Sequence, residues 1–203
     1  MTTNIHYENR EIEGERLDFS KGTLYWIGPN VTLRGCTLRL NVASRGLHLL
    51  SARMIDCTLH APSELKTLRW GRVHLKGCRF TGRFTGNDFG FREEPPDTWK
   101  VGGIEDCDFS SARLHGCRFS NCDMRTLQLP RWPCFTLMNP REHAEALGRL
   151  EWPGQFGLVI AGLATALEGS VAETWHAPTL AEKLGTTPEA LRTALERVPC
   201  VVL

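Results

Sequence analysis

Cysteine is the first residue type in this 203-residue chain that could carry chemistry, with eight copies. Cys36, Cys57, Cys78, Cys107, Cys117 and Cys122 could in principle hold a metal or pair as disulfides. Tetrahedral zinc needs converging ligands, usually as Cys-x-x-Cys pairs, and no two of these cysteines have that spacing. Five of them sit instead in one recurring phrase: an apolar residue, two spacers, Cys, one spacer, then Leu or Phe. It reads Leu33-Arg-Gly-Cys36-Thr-Leu38, Met54-Ile-Asp-Cys57-Thr-Leu59, Leu75-Lys-Gly-Cys78-Arg-Phe80, Ile104-Glu-Asp-Cys107-Asp-Phe109 and Leu114-His-Gly-Cys117-Arg-Phe119. The first three copies are 21 residues apart. A thiol repeated at a fixed period reads as a small buried side chain in a stack. Stacked Cβ vectors run parallel, which is poor disulfide geometry. No metal and no cofactor is expected.

The other reactive side chains form no constellation. Asp106, Asp108 and Asp123, with Glu93, Glu94 and Asp97, are the acids available for acid–base work. They fall on turn or outward positions, and none is spaced against a histidine. His60, His74 and His115 lie on the repeat; His74 and His115, beside Leu75 and Leu114, read as surface residues. His143 and His176 show no ligand spacing. A phosphate-binding glycine loop, a nucleophile elbow and an H-E-x-x-H motif are all missing. The chain is therefore not expected to be an enzyme.

Charge is more informative in its distribution than in its total of +1. Between Val31 and Phe80 lie nine basic residues, Arg34, Arg39, Arg45, Arg53, Lys66, Arg69, Arg72, Lys76 and Arg79, against only Asp56 and Glu64, an excess of seven. Such a segment points to an acidic partner. The composition, 41% hydrophobic and 23% charged, is that of an ordinary folded domain. No apolar run reaches the length of a membrane span, and residues 1–15 lack the apolar stretch of a secretory signal, so the expected location is the cytoplasm with reduced thiols.

The elements that position these residues follow from the period. A fixed repeat near 20 residues means a solenoid whose coils pack on their neighbours. The alternation of apolar and polar residues within each copy is that of strands. Pro62 and the Gly or Asp before each Cys mark corners. Residues 1–30 read as a first coil or cap. Cys78 to Cys107 is 29 residues, eight longer than a coil, and the surplus is placed at 84–100, around Gly86-Asn-Asp-Phe-Gly90 and Glu93-Glu-Pro-Pro-Asp97. From Cys107 to Leu129 the phrase tightens into a five-residue beat: Cys107-Asp-Phe109-Ser-Ser, Ala112-Arg-Leu114-His-Gly, Cys117-Arg-Phe119-Ser-Asn, Cys122-Asp-Met124-Arg-Thr. Here the chain resembles the pentapeptide-repeat family. That resemblance implies a right-handed parallel β-helix, mainly β, with the Leu/Phe and the small residue two before it facing inward, and four pentapeptides to a square coil.

Beyond Leu129 the pattern changes. Pro130, Pro133, Pro140 and Pro153 prevent further regular coils. Asn139-Pro140 starts a short helix to Leu147. Residues 156–167, 178–184 and 188–197 read as further helices, the second ended by Gly185 and the third capped by Thr187. The expected organisation is a β-helix with its N-terminal cap over 1–138 and an α-helical subdomain over 139–203.

A rod with a charged face and no catalytic set reads as a binding protein. The resemblance implies roles of two kinds: DNA-mimic protection of type II topoisomerases, which wants an acidic rod, and immunity or partner binding in bacterial toxin systems. The basic middle favours the second, a cytoplasmic immunity-type protein that neutralises a cognate toxin. Its expected surface comprises Arg34, Arg53, Lys76, Arg79, Arg113 and Arg118, with Glu93, Glu94, Asp97 and Trp99 from the insertion. Arg34 and Lys76 share one column, and Arg53 and Arg113 another. The alternative is a nucleic-acid-binding regulator, because Thr179–Leu195 resembles a helix-turn-helix. Residues 179–198 carry no net charge, however, and phosphate contacts need a positive one. A third reading is a carbohydrate-active β-helix enzyme using the acids near 93–108. No membrane and no small-molecule substrate is indicated.

Overall fold

Short strands separated by left-handed corners wind this chain into a parallel β-helix. The computed structural model describes residues 3–91 and 102–203. Three parallel sheets, the third of them bent over two sides of the coil, form the walls around the core. The first opens with β1 (Thr3–Tyr7), β4 (Thr23–Ile27) and β7 (Leu47–Leu49). The second stacks β2 (Arg10–Glu13), β5 (Val31–Arg34), β8 (Ala52–Ile55), β10 (Val73–Lys76) and β13 (Gly103–Glu105). The third stacks β3 (Arg16–Ser20), β6 (Thr37–Asn41), β9 (Thr58–Lys66), β11 (Arg79–Thr85) and β14 (Ala112–His115). Every pairing within these three walls is parallel.

The register steps by one period: Arg10, Val31, Ala52 and Val73 are successive partners. Twenty-one residues is thus the length of one coil over this stretch. Four sides make the coil where the five-residue beat is strongest: His74, Arg79, Phe84 and Asp88 pair in turn with Gly103, Asp108, Leu114 and Arg118. The corners set these sides. Gly35, Asp56, Gly77 and Asp106, each just before a phrase cysteine, have φ between +53° and +61°. Gly tolerates this left-handed conformation freely and Asp tolerates it better than most residues. The corner aims the next residue inward. The thiols of Cys36, Cys57 and Cys78 then donate to the carbonyls of Ile12, Leu33 and Met54 on the preceding coil, at 3.4, 3.4 and 3.2 Å. Hydrogen bonding to Cys78, then burial, pushes the Cys57 thiol pKa up, and burial pushes that of Cys117 up to about 12. These thiols are structural donors.

Two corner assignments change. Pro62 turns nothing: it lies inside the nine-residue β9, where the register with β11 shifts between Gly82 and Phe84, and the corner comes at Thr67 with φ +55°. A proline is tolerated there because the shifted ladder does not need its missing N–H. The stretch 86–90 is likewise no loop. Gly86 is a corner, and Asp88–Gly90 is strand β12. The surplus over a coil therefore falls between β12 and β13. Residues 92–101, including Glu93, Glu94, Asp97 and Trp99, lie outside the described residues.

Inside, equivalent residues stack. Leu17, Leu38, Leu59 and Phe80 are register partners in one inward ladder. Trp70, Phe80, Phe84, Phe89, Phe109 and Phe119 fill the C-terminal half, with Phe80 and Phe109 stacked at 4.4 Å between centroids. Burying each such side chain stabilises the fold by about 1.5–3 kcal/mol. One polar residue is enclosed with them. Asn87 donates through Nδ2 to the carbonyls of Leu65 and Thr85, and its Oδ1 accepts from the Trp70 indole at 3.1 Å.

The first wall does not end at β7. One period on, Arg69 bridges in parallel to Asp88 of β12, and β12 pairs with β15 (Cys117–Ser120). Beyond β15 the sheet turns antiparallel through β17 (Ser170–His176), β16 (Cys134–Met138) and β18 (Val201–Val202). The sequence reading expects only helices here, and the four helices are present: α1 (Pro140–Gly148), α2 (Phe156–Leu163), α3 (Ala177–Leu184) and α4 (Pro188–Leu195). Gly185, at φ +65°, ends α3, and the Thr187 hydroxyl accepts from the Ala190 N–H to cap α4. Asn139 makes no side-chain cap; it enters α1 in the left-handed conformation, with Pro140 at the first helical position. The helices pack around a second apolar cluster that includes Phe135, Phe156, Ile160, Leu180, Leu191 and Leu195. Among the described residues no helix is long and apolar enough to cross a membrane.

Candidate interaction surface

Alternation within each strand turns one set of residues to the core and the other to the outer face, and the period stacks the outer set into columns. On the second wall one column runs Glu13, Arg34, Ile55, Lys76, Glu105, and its neighbour runs Glu11, Thr32, Arg53, His74, Gly103. Arg34 and Lys76 thus share a column as the sequence indicates. Arg113 does not join Arg53. It lies on the third wall, where its register partner is Arg83.

Three of the nine basic residues of Val31–Phe80, and Arg118 beyond it, are neutralised by acids from other coils. Arg34 Nε lies 2.5 Å from Glu11 Oε1. Glu105 Oε1 takes both Lys76 Nζ at 3.3 Å and His74 Nε2 at 3.1 Å, and these two partners, His74 first, hold its carboxyl below the usual range. Arg79 Nε reaches Asp108 Oδ2 at 3.3 Å. The Asp108 carboxyl is also held low, first by its hydrogen bonds with Ser110. Arg118 Nε donates to Asp88 Oδ1 at 2.6 Å. Among the described residues Arg53 and Arg113 enter no ion pair. The sequence count missed this because a stacked coil borrows its counter-charges from residues 23–31 positions away, beyond any local window.

Two surface features carry no signal in the cysteine phrase. On the first wall His6, Trp26 and His48 are register partners on the outer face. Trp26 stacks on His48 at 4.0 Å between ring centroids and 15° between planes, and on His6 at 5.8 Å and 3°. Their spacings of 20 and 22 residues straddle the 21-residue period, so a strict repeat does not align them. The second feature is a pocket of about 380 Å³ where the α2–β17 connection folds over the first wall.

His115 is a correction. It is buried, 9% exposed, with its Nδ1 unpartnered among the described residues. Burial lowers its pKa to about 4, Lys183, His176 and Arg113 push the same way, and Glu64 opposes them. Strand β14 would leave it outward, but the C-terminal strands and helices pack over it. On α4 the cation Arg192 is taken up by Glu196 at 2.9 Å and by the face of Trp132 at 5.4 Å. Among the described residues no group of three or more His, Cys, Asp or Glu is placed to hold a metal ion.

The sequence model of the family described as pentapeptide repeats (8 copies) matches residues 105–125. Those residues run from the end of β13 through β14 and β15 to Arg125. The chain is a β-helix that is pentapeptide-repeat-like over residues 105–125. None of the curated proteins matches. Among solved structures, a trypsin-treated form of QnrB1, a plasmid-mediated fluoroquinolone resistance protein, is similar at 14% identity with a TM-score of 0.34. That match covers 64% of this β-helix chain and 80% of the QnrB1 chain.

Proposed function

We propose that this β-helix is a non-enzymatic protein-binding module, and that within this class it is an immunity-type protein that docks on and neutralises a cognate toxin. The observation that carries the reading is the outward Trp26, held flat between His6 and His48 on the first wall. An aromatic ring fixed in one orientation loses little entropy on binding, and tryptophan is among the side chains that anchor protein interfaces. The uncommitted cations Arg53 and Arg113 add a preference for an acidic partner. Arg34, Lys76, Arg79 and Arg118 contribute less, because each already has its carboxylate.

Affinity purification from the native host with a tagged chain tests this. One protein should be recovered at about equal stoichiometry. Trp26→Ala should abolish its recovery, and Arg53→Glu should weaken it more than Arg34→Glu does. A toxin partner should also lose its toxicity when the two are co-expressed. Recovery unchanged by Trp26→Ala together with charge reversal at Arg34, Arg53, Lys76 and Arg79 overturns the surface. Recovery of no protein overturns the function.

A further inference from the structure

The pocket beside the α2–β17 connection is built differently from the rest of the surface. Its floor is one column of the first wall. Asp88 lies between Arg69 and Arg118 in register, and Arg118 is the partner of Glu173 on the antiparallel strand β17. Neighbouring strands lie about 4.8 Å apart, so the floor presents cation, anion, cation and acid in line. Asp88 is committed to Arg118 at 2.6 Å. Arg69 is exposed and makes no ion pair among the described residues. Glu173 is half-buried, and burial raises its pKa against the pull of Arg118. Arg72 also lines the pocket. The opposite side is Gly162, Thr165, Ala166 and Leu167, with Ser170 at the rim, its hydroxyl buried without a partner among the described residues.

We infer that this pocket binds a small ligand bearing a carboxylate or phosphate group, gripped by the guanidinium of Arg69 with Arg118 behind it. The geometry of a guanidinium fork suits the planar pair of oxygens on either group. About 380 Å³ is the size of a small-molecule site rather than of a water-filled crevice. The ligand would touch both the β-helix floor and the C-terminal connection, and so would tie the two together. The pocket lies farther along the same wall as Trp26, with Leu49, next to His48, in its lining, and the inference does not depend on any protein partner.

Titration of the full chain with inorganic phosphate, adenosine monophosphate and citrate, followed by calorimetry and by amide chemical shifts, tests it. At least one probe should bind saturably at millimolar concentration or below, with the shifted amides at Gly71, Gly90, Ser120 and Thr165. The phosphate and citrate arms separate the two anion chemistries. Arg69→Glu should weaken binding by about tenfold or more, since it replaces a charge-assisted donor with a like charge. Arg53→Glu, on another wall, should leave it unchanged. Thr165→Trp, at an exposed position, should block the mouth without entering the core. Failure of all three probes to saturate overturns the inference. So does binding that survives both Arg69→Glu and Thr165→Trp, or shifts that map elsewhere.

Discussion

At the scale of single residues, the polar groups enclosed in the β-helix decide more than the cysteines that dominate its sequence. Asn87 is fully buried and uses both ends of its amide. Asn87→Ala leaves the Trp70 indole N–H unpaired inside the core. A stranded buried donor costs about 1–3 kcal/mol, so a loss of about 2 kcal/mol is expected from urea unfolding. A loss below about 1 kcal/mol would show that the amide is replaceable. His115 gives the pH dependence. Its pKa in the folded chain, about 4, lies below the ordinary 6.5. The unfolded chain therefore binds the proton first as pH falls. The contribution of His115 to stability is complete above about pH 6.5, declines between 6.5 and 4, and levels off below, a loss of up to about 3 kcal/mol. His176, also lowered chiefly by burial, adds to the same window. His115→Gln should make the chemical-denaturation midpoint less dependent on pH between 7 and 4. An unaltered slope would mean that His115 is not titrating as a buried group.

At the scale of elements, the coil is set by its corners. Two left-handed glycines separate the contributions. Gly14, at φ +66°, has open space where a Cβ would stand, so Gly14→Ala pays only for the backbone conformation, about 1 kcal/mol. Gly82, at φ +96°, would place that Cβ 2.1 Å from the Ala61 carbonyl oxygen on the neighbouring strand. Backbone cannot move aside cheaply there, because β9 and β11 are paired on either side of the shift. Gly82→Ala should therefore destabilise by at least about 3 kcal/mol, and comparing the two thermal transitions measures the difference. The corner residues were legible because Gly or Asp recurs before each Cys. The role of Pro62 was not, since a proline marks a corner and a bulged strand equally well.

At the scale of the whole molecule, the open end of the solenoid is the point of weakness. A parallel strand left unpaired is a template for another chain. Here β17 covers β15 with an antiparallel ladder, and Ala172 of β17 joins the first core cluster. A chain ending at Pro130 would expose the β15 edge along with Cys117 and Phe119. It should self-associate more than the full chain does, read by light scattering of the two side by side. A soluble monomer of that length would show that the β-helix closes without its C-terminal strands.

The chain's own order determined the parallel stack, its period, its corners and its inward ladders. Each of these follows from residues one coil apart or adjacent along the strand, and the 21-residue repeat writes them out directly. The four helices were legible for the same reason, through Pro140, Gly185 and Thr187. What only the tertiary structure decided are the relations between residues that the period does not link. Strands β16, β17 and β18 draw their pairing from an existing edge, so their segments show no strand pattern of their own. The pairing of Arg34 with Glu11 and of Arg118 with Asp88, the burial of His115, and the pocket floor of Arg69, Asp88, Arg118 and Glu173 all arise where coils or subdomains meet. The phrase around each cysteine, which looked like chemistry, proved to be the device that aligns those outward residues. Charge, burial and register at the surface depend on three-dimensional neighbours, and a linear count of basic residues could not supply them.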